Sequence, residues 1–505
     1  MKELTESAIQ LLKDRYCTHG EEPKDIFPRI AKEIAKHTPG RNGNTKLEKE
    51  YLEMMQNLDF LPNSPCIRNA GYGNMNKACF VLPVEDSIAG IYRALKQSAQ
   101  VFKMGGGVGY NFSDLREQGA PLSAGGTSSG VLSFMNMFNA STEAVKQGGF
   151  RRGASMGVLD YDHPEIIRFI QEKSKHNRLN NFNVSVLVDN DFMNKVETDD
   201  DIYLKSRWDR RRTTGSLKAK DIFNLIITYA WDNGDPGLLF FDRINEDNPE
   251  HPGKSIRATN PCGEVPLFPY ESCCLGSINL SNCVKDNDLD LEKLDYLIEK
   301  GTNFLMGMNK SSQFPIKECY EAQNKYFRIG LGVMGYADML IKMHIKYDSG
   351  EAMKVIDKIG RHLQKASRYA HLSIATLSIA PTGSLSILAN CSSSIEPIFA
   401  KQYERHVVAG TFKEGREESE YLRTAHEVTP EWHLKTLARW QKWIDNGVSK
   451  TINLSHNASQ RDVYDIYMKA WKMKCKGVTI FRDGCRGDSG QVYRRLTCDG
   501  DSCYL

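Results

Sequence analysis

Apolar positions along this chain alternate between two spacings, one typical of buried strands and one typical of helices. Short apolar runs predict strands, at 78–83, 183–188, 238–241, 275–280, 377–380, 450–453 and 478–481. Longer stretches with a spacing of three to four residues predict helices, at 88–100, 131–147, 221–231, 289–308, 331–343 and 459–473. Because strands and helices alternate repeatedly, the pattern predicts an α/β sheet or barrel.

The first 60 residues have a different pattern, which is polar and helical with a break at Pro39-Gly40 and Gly43. Ile9, Leu12 and Tyr16 are spaced to share one helical face. This segment is expected to form a helical cap on the main domain. The predicted organisation is therefore a helical segment at 1–60, a catalytic domain at 61–482 and a flexible tail at 483–505.

Composition narrows the class of protein. The chain has 505 residues, of which 40% are hydrophobic and 26% charged, so it is long enough for a sizeable core. A formal charge of only +3 argues against a general nucleic-acid surface. We find no run of 18 apolar residues and no signal-peptide core, which predicts a cytoplasmic protein with no membrane association. Thirteen cysteines without a C-x-x-C pair disfavour a disulfide scaffold or a zinc ribbon, and we expect no metal site.

The most informative stretch is the loop Asn260-Pro261-Cys262-Gly263-Glu264. Pro and Gly flank the cysteine, so a tight turn is expected there. The loop holds a thiol, a carboxylate and an amide within five residues. A second thiol, Cys273, stands eleven positions later, just before an apolar run. A thiol beside a carboxylate suggests catalysis, and a second thiol suggests redox chemistry.

Other thiols extend this pattern. Cys79 lies on a short apolar strand, where taken alone it is more readily a core residue than a catalyst. Cys498 and Cys503 lie on a Gly- and Asp-rich terminus, and they are either half a metal site or a mobile dithiol arm. No further His or Cys pair stands close by, which favours the arm. A core pair plus a tail pair is the layout expected for thiol–disulfide exchange.

Two glycine-containing segments leave alternatives open. The run 102–112 fails the G-x-G-x-x-G spacing, so its glycines indicate only that a ligand or another strand approaches the backbone closely. The turn Pro381-Thr382-Gly383-Ser384 follows a predicted strand. It is either a phosphate-binding turn or an ordinary capped turn.

Taken together, these segments resemble the large catalytic chain of the ribonucleotide reductases, and most of all the adenosylcobalamin-dependent class II type. The resemblance runs from about residue 3 to about residue 490. It is carried by NSPCIRNAG, KACFVLPVEDS, FKMGGGVGYNFSDLR, QGGFRRGASMGVLDYDHPEI, NPCGE, YESCCLGSINL, SIAPTGSLSI, SSSIEPIFA, TAHEVTPEWH, SKTIN and GVTIFRDG.

The resemblance implies a ten-stranded α/β barrel of two antiparallel five-stranded halves, with the 260–264 loop as a finger in its centre. Cys262 would become a thiyl radical that takes the 3′ hydrogen of the ribose. Glu264 would act as general base at the 3′-OH, and Asn260 would hold the substrate hydroxyls. Cys79 and Cys273 would supply the reducing equivalents and end as a disulfide. Cys273 is preferred to Cys274 because it keeps the family's spacing to Asn279.

The resemblance also assigns binding residues. Ser64 and the turn Thr382, Gly383 and Ser384 would bind the substrate phosphates. Cys498 and Cys503 would form the arm that thioredoxin or glutaredoxin reduces. A dNTP effector would bind at the interface of a homodimer and be relayed by the loop 175–181; the residues implicated are Asp86, Ser87, Ile88, Arg151, Lys175 and Asn177.

The residues at positions 481 and 482 bear on the source of the radical. Relatives that receive the radical from a separate metal-containing subunit carry adjacent tyrosines where this chain has Phe481-Arg482. This favours adenosylcobalamin. The first alternative is a separate radical-generating subunit, with Tyr493 and Tyr504 as the candidate relay residues. The second is a non-catalytic, thiol-based nucleotide-binding regulator. The favoured substrates are diphosphates, and the expected setting is a bacterial or phage-infected cell. The N-terminus lacks the extra ATP-binding helical domain of many relatives, so on/off control by ATP and dATP is not expected.

Overall fold

The computed structural model describes residues 2–39, 45–73, 75–146, 153–174, 178–407, 410–485 and 493–495. The chain divides into two compact units. Unit 1 is built from Met1–Ala78, Ser272–Lys450 and Arg486–Leu505, and unit 2 from Cys79–Glu271 and Thr451–Cys485.

Helices and strands are labelled in chain order. The helices are α1 Glu6–Arg15, α2 Pro23–His37, α3 Thr45–Gln56, α4 Ser64–Asn69, α5 Ile88–Lys103, α6 Val131–Lys146, α7 Ile166–Gln171, α8 Asn190–Thr198, α9 Ala219–Asn233, α10 Phe241–Glu246, α11 Leu291–Ser311, α12 Lys317–Tyr326, α13 Tyr336–Lys342, α14 Gly350–Leu363, α15 Ala366–Tyr369, α16 Gly383–Ala389, α17 Pro430–Gln441 and α18 Gln460–Lys472. The strands are β1 Phe60–Pro62, β2 Cys79–Val81, β3 Gly107–Asn111, β4 Ser155–Asp160, β5 Phe182–Val188, β6 Asp201–Lys205, β7 Thr213–Lys218, β8 Gly237–Phe240, β9 Ala258–Thr259, β10 Pro266–Leu267, β11 Ser272–Asn279, β12 Val284–Lys285, β13 Asp288–Leu289, β14 Ile329–Met334, β15 Gln402–Val407, β16 Gly410–Gly415, β17 Thr451–Leu454, β18 Gly477–Arg482 and β19 Tyr493–Arg495.

Unit 2 is organised around a sheet in which β2, β3, β4, β5 and β8 run parallel in that order. β18 pairs antiparallel with β8, and β17 pairs parallel with β18. Helices connect the parallel strands and cover them, which is why β8 is a continuous apolar run buried at every position. Tyr110, Phe112, Phe138 and Phe182 form an aromatic cluster between the sheet and α6.

Unit 1 is organised around β11, whose eight residues are all buried. β1 pairs with it antiparallel and β14 pairs with it parallel. Single bridges continue the parallel order through Leu377 and Ile379, so the predicted strand at 377–380 is present only as isolated pairings. The buried apolar cluster of this unit joins side chains of α1, α2 and α3 to side chains of α11 and β14. The expected helical character of the first 60 residues is confirmed within the described part of that segment.

Two expectations were wrong in detail. The segment 331–343 is not one helix, because residues up to Met334 form the fully buried strand β14 and only α13 is helical. Its glycines explain the difference: a Cβ at Gly332 would lie 2.2 Å from the Ser378 carbonyl oxygen, a closeness between backbones that a helix would not need. Ile9 of α1 is 37% exposed, whereas Leu12 of α1 and Tyr16, which follows this helix, are buried. The buried face of α1 instead contains Ala8, Leu11, Leu12 and Arg15.

Candidate active site

The 260–264 loop forms a tight turn at the end of the β9–β10 hairpin in unit 2. Gly263 N–H donates to the Asn260 carbonyl over 3.1 Å, and Asn260 N–H donates to the Val265 carbonyl over 3.2 Å. The Asn260 side chain closes the turn, because its Oδ1 accepts from Val265 N–H at 3.0 Å. Gly263 has φ +80°, a backbone conformation that favours glycine. The turn predicted from Pro261 and Gly263 is therefore confirmed.

The loop directs its polar groups to opposite sides. Asn260 and Glu264 are 1% and 2% exposed, whereas Cys262 is exposed. A Cβ added at Gly263 would meet no atom within 4 Å, so the tip of the turn faces open space. The thiol is thus accessible to a bound molecule, while the amide and the carboxylate are fixed in the interior.

Cys79 joins the loop from β2, which lies in the same unit. Asn260 Nδ2 lies 3.1 Å from Cys79 Sγ, and Cys79 Sγ lies 4.0 Å from Glu264 Oε1. Three of the residues predicted from sequence therefore converge within hydrogen-bonding reach, although Cys79 is 181 positions before Asn260. A thiol, an amide and a carboxylate at this separation can exchange protons and orient hydroxyl groups.

Glycines of β3 set the position of this loop, which resolves the alternatives left open for the glycine-rich run 102–112. A Cβ at Gly109 would lie 1.7 Å from the carbonyl oxygen of Thr259, and one at Gly107 would lie 2.9 Å from Pro261. Asn183 of β5 adds a hydrogen bond from Nδ2 to the Pro261 carbonyl at 2.7 Å. The glycines thus allow close approach of the loop that carries Cys262.

Cys273 and Cys274 occupy consecutive positions of β11 in unit 1, so their side chains project to opposite faces. Cys274 belongs to the buried apolar cluster and contacts Asn309 Oδ1 over 3.7 Å. Burial raises the pKa of its thiol to about 11. Cys273 is fully buried and lies outside that cluster, with its Sγ 3.4 Å from the Cys274 carbonyl. Cys274 therefore behaves as an inert core thiol.

The predicted phosphate ligands lie together with helix α1 in unit 1. Ser64 Oγ is 2.8 Å from the Tyr16 hydroxyl, and Ser384 Oγ accepts from Arg15 Nη1 at 2.8 Å. Thr382 has φ +54°, and its Oγ1 accepts from Ser394 N–H at 2.7 Å. Sequence reasoning missed Arg15 and Tyr16. The available signal was the 8, 11, 12, 15 spacing of α1, which places an arginine on an otherwise apolar face.

The candidate effector residues that the structure describes lie at the start of α5. Ser87 caps this helix, since its Oγ accepts from Gly90 N–H at 3.0 Å. Asp86 accepts from both the backbone N–H and Nε of Arg116, over 3.1 and 2.8 Å, and Ile88 is 65% exposed. The remaining predictions fall outside the described residues; they concern Arg151, Lys175, Asn177, Cys498 and Cys503.

Within the described ranges, no helix is both long and apolar enough to cross a membrane.

Comparison with protein families gives two matches that together cover most of the chain. The model described as "Ribonucleotide reductase, barrel domain" matches residues 77–377 and 373–481. The model described as "Ribonucleotide reductase, all-alpha domain" matches residues 2–74.

Comparison with curated proteins gives relatives whose similarity covers most of this chain. A "Vitamin B12-dependent ribonucleoside-diphosphate reductase" of Thermoplasma acidophilum is 40% identical, with 86% of this chain and 65% of the relative covered. A protein of the same description from Mycobacterium tuberculosis is 35% identical, with 97% of this chain and 80% of the relative covered. A "Ribonucleoside-diphosphate reductase subunit alpha" of Chlamydia trachomatis is 24% identical. The chain thus spans about two thirds to four fifths of the length of the two B12-dependent relatives.

Proposed function

The chain belongs to the large-chain family of the ribonucleotide reductases, and on that premise we propose that it reduces ribonucleoside diphosphates to 2′-deoxyribonucleotides with adenosylcobalamin as radical source. The observation that carries this proposal is the contact of Cys79 with Asn260 and Glu264, which belong to the same loop as the exposed Cys262. The names of the relatives support both the diphosphate substrate and the cofactor.

The tip of the finger loop is accessible to a bound group. Cys262 is exposed, and the space beside Gly263 is open for at least 4 Å. Strand β18 carries Phe481 and Arg482 at the positions where relatives with a separate radical-generating subunit have adjacent tyrosines. The guanidinium carbon of Arg482 lies 4.0 Å from the centroid of the Trp231 ring, and its Nε donates to the Trp231 carbonyl. Adenosylcobalamin, when bound, would supply the one-electron chemistry that removes the hydrogen atom from the Cys262 thiol.

The residues of the chain then divide the reaction among them. Cys262 takes the 3′ hydrogen atom from the ribose and returns it after the reduction. Glu264 accepts the 3′-OH proton, a task suited to a carboxylate held inside the protein. Asn260 orients the ribose hydroxyls with its side-chain amide.

Two thiols complete the chemistry at the 2′ carbon. Cys79 and Cys273 give up two electrons and two protons as they become a disulfide. One proton leaves with the 2′ hydroxyl as water, and the other proton and the two electrons form the new 2′ C–H bond. Cys498 and Cys503 then reduce that disulfide by thiol–disulfide exchange, and thioredoxin or glutaredoxin reduces the tail in turn. Atoms and electrons balance, since one ribonucleotide consumes one dithiol and yields one water.

The phosphate-binding residues, the effector site and the barrel architecture are those that the family resemblance implies. Ser64 and the turn Thr382, Gly383 and Ser384 hold the substrate phosphates. A dNTP effector binds around the start of α5 at the interface of a homodimer and sets substrate preference; its residues are Asp86, Ser87, Ile88, Arg151, Lys175 and Asn177. Residues 61–482 form a ten-stranded barrel of two antiparallel five-stranded halves, preceded by the helical segment 1–60 and followed by the redox tail 483–505.

An assay of the purified chain alone tests the function. It is incubated anaerobically with CDP, dithiothreitol and each dNTP in turn, with and without adenosylcobalamin, and dCDP is measured. We expect dCDP only when the cofactor is present. If no combination of cobalamin, nucleotide and effector yields dCDP, the chain does not generate the radical with adenosylcobalamin alone. The hypothesis of a separate radical-generating subunit then replaces the proposal.

The adjacent thiols of β11 give a matched pair of variants. Cys273→Ser is expected to lower dCDP turnover at least about 10³-fold, the scale of removing an acting group from a catalytic set. Cys274→Ser is expected to retain most of the turnover, while the free energy of unfolding falls by about 1–3 kcal/mol because a hydroxyl replaces a thiol in the apolar cluster. Steady-state turnover with dithiothreitol and thermal unfolding measure both effects. If Cys274→Ser lost dCDP turnover while Cys273→Ser kept it, Cys274 and not Cys273 would be the reductant.

A further inference from the structure

Arg15 is a charged residue on the buried face of α1. It is 8% exposed. Its Nη1 donates to Ser384 Oγ at 2.8 Å, and its Nε is buried without a hydrogen-bond partner in the described part of the chain. None of the ion pairs formed among the described residues includes Arg15, and its guanidinium carbon lies 5.8 Å from the centroid of the Tyr16 ring. A buried charge without a counter-charge is energetically costly, so the position of this guanidinium group favours the binding of an anion.

The surroundings of Arg15 add positive charge. Arg68 Nη1 donates to the Arg15 carbonyl at 2.6 Å. Burial, and next the charge of Arg15, lower the pKa of Arg68. Two guanidinium groups therefore lie near each other, and the Arg15 group reaches a hydroxyl, Ser384, that the family resemblance places at the substrate phosphates.

Tyr16 extends this arrangement to the other predicted phosphate ligand. Its hydroxyl lies 2.8 Å from Ser64 Oγ, and its ring is fully buried, so the hydroxyl is held in one place. Arg15, the last residue of α1, and Tyr16, which follows it, thus contact Ser384 and Ser64, which are 320 positions apart along the chain. The C-terminal end of α1 therefore contacts both serines.

We propose that Arg15 binds the terminal phosphate of the nucleoside diphosphate substrate, and that Tyr16 is a positioning residue for Ser64. The inference rests on the function proposed above. The planar guanidinium group can leave or share Ser384 and donate two parallel hydrogen bonds to phosphate oxygens, a geometry that arginine matches better than lysine. The terminal phosphate supplies the counter-charge that Arg15 lacks within the described residues, so this residue distinguishes diphosphates from monophosphates.

The test compares the binding of CDP and CMP to the full chain under anaerobic conditions, by equilibrium dialysis without turnover. We expect the wild-type protein to bind CDP at least tenfold more tightly than CMP. In Arg15→Gln, CDP binding should weaken by roughly 10- to 100-fold, as expected for loss of a hydrogen-bonded charge pair. CMP binding should change little, so the two affinities converge. Arg15→Lys should fall between the two proteins.

Two further variants separate binding from structure. Arg368→Gln removes the same charge from an exposed position of α15 and should leave both affinities unchanged. Tyr16→Phe should raise KM for CDP with a smaller effect on kcat, because it frees Ser64 without removing it. Thermal unfolding verifies that each variant is folded.

Each outcome decides the proposal. A folded Arg15→Gln protein that keeps the wild-type preference for CDP, or loses CDP and CMP affinity equally, would make Arg15 a structural link between α1 and α16. A wild-type protein that binds CMP as tightly as CDP would also overturn the proposal. If the wild-type chain reduces CDP while Arg15→Gln binds normally, the reductase function stands and only this inference fails.

Discussion

Replacing Cys262 by serine is expected to abolish dCDP formation, lowering turnover by at least about 10⁴-fold, as removal of the group that performs the chemistry does in other enzymes. A serine O–H bond is too strong to yield its hydrogen atom in place of a thiol, so the variant forms no radical that can take the 3′ hydrogen. The change is nearly isosteric and lies at the exposed tip of the finger loop, so folding should be unaffected. Turnover with adenosylcobalamin and dithiothreitol measures the effect.

Cys485→Ser is the matched control, because Cys485 is another partly exposed thiol of unit 2 to which we assign no role. It should retain wild-type turnover. The pair also separates the enzyme from the alternative of a thiol-based regulator. A Cys262→Ser protein that keeps dCDP formation would remove Cys262 from the mechanism. A protein that makes no dCDP in either form, yet binds nucleotides normally, would favour the regulator.

Gly109→Ala should also have a large effect, although Gly109 touches no substrate. The new Cβ would lie 1.7 Å from the Thr259 carbonyl oxygen, so the backbone just before Asn260 must move by more than an ångström. Displacement of reacting groups on that scale lowers rates by about 10²-fold, and we expect kcat to fall by at least this factor. The free energy of unfolding should also fall, by about 1–3 kcal/mol, as for other overpacked sites.

Gly215→Ala provides the comparison for this variant. Gly215 is also a strand glycine of unit 2, but its Cβ would meet no atom within 4 Å. Its kcat should equal that of the wild type, and its stability should be unchanged or slightly higher. Measurement of kcat and thermal unfolding for both variants checks the argument. Wild-type kcat in a folded Gly109→Ala protein would show that the loop position tolerates the shift.

Local features of the site were predictable because they depend on neighbours in sequence. Pro261 and Gly263 specify a turn, and the hydrogen bonds around Asn260 confirm it. The strand carrying Cys79 and the helix that starts at Ile88 were also predicted from apolar spacing and a serine cap. Each of these signals lies within about ten residues of the feature it predicts.

Features that depend on distant segments were not predictable from spacing alone. The 3.1 Å contact between Cys79 and Asn260 requires the register of β2 with β3 and the approach of Thr259 to Gly109. The prediction of a helix at the position of β14 is wrong because the strand depends on a distant contact. Gly332 allows the close approach of the Ser378 backbone, which lies 46 positions later. The sequence does not single out Arg15, because its hydrogen-bond partner Ser384 lies on α16, far away along the chain.

The division of unit 1 into separate chain segments has a consequence for synthesis of the protein. The helices α1 to α3 share an apolar cluster with residues from Cys274 to Ile444, which the ribosome makes much later. At about 5–20 residues per second, the roughly 200 residues between the two segments take about 10–40 s to translate. During that interval the apolar faces of the first three helices are unsatisfied, which makes the nascent N-terminus a natural client for chaperones until its partner segment emerges.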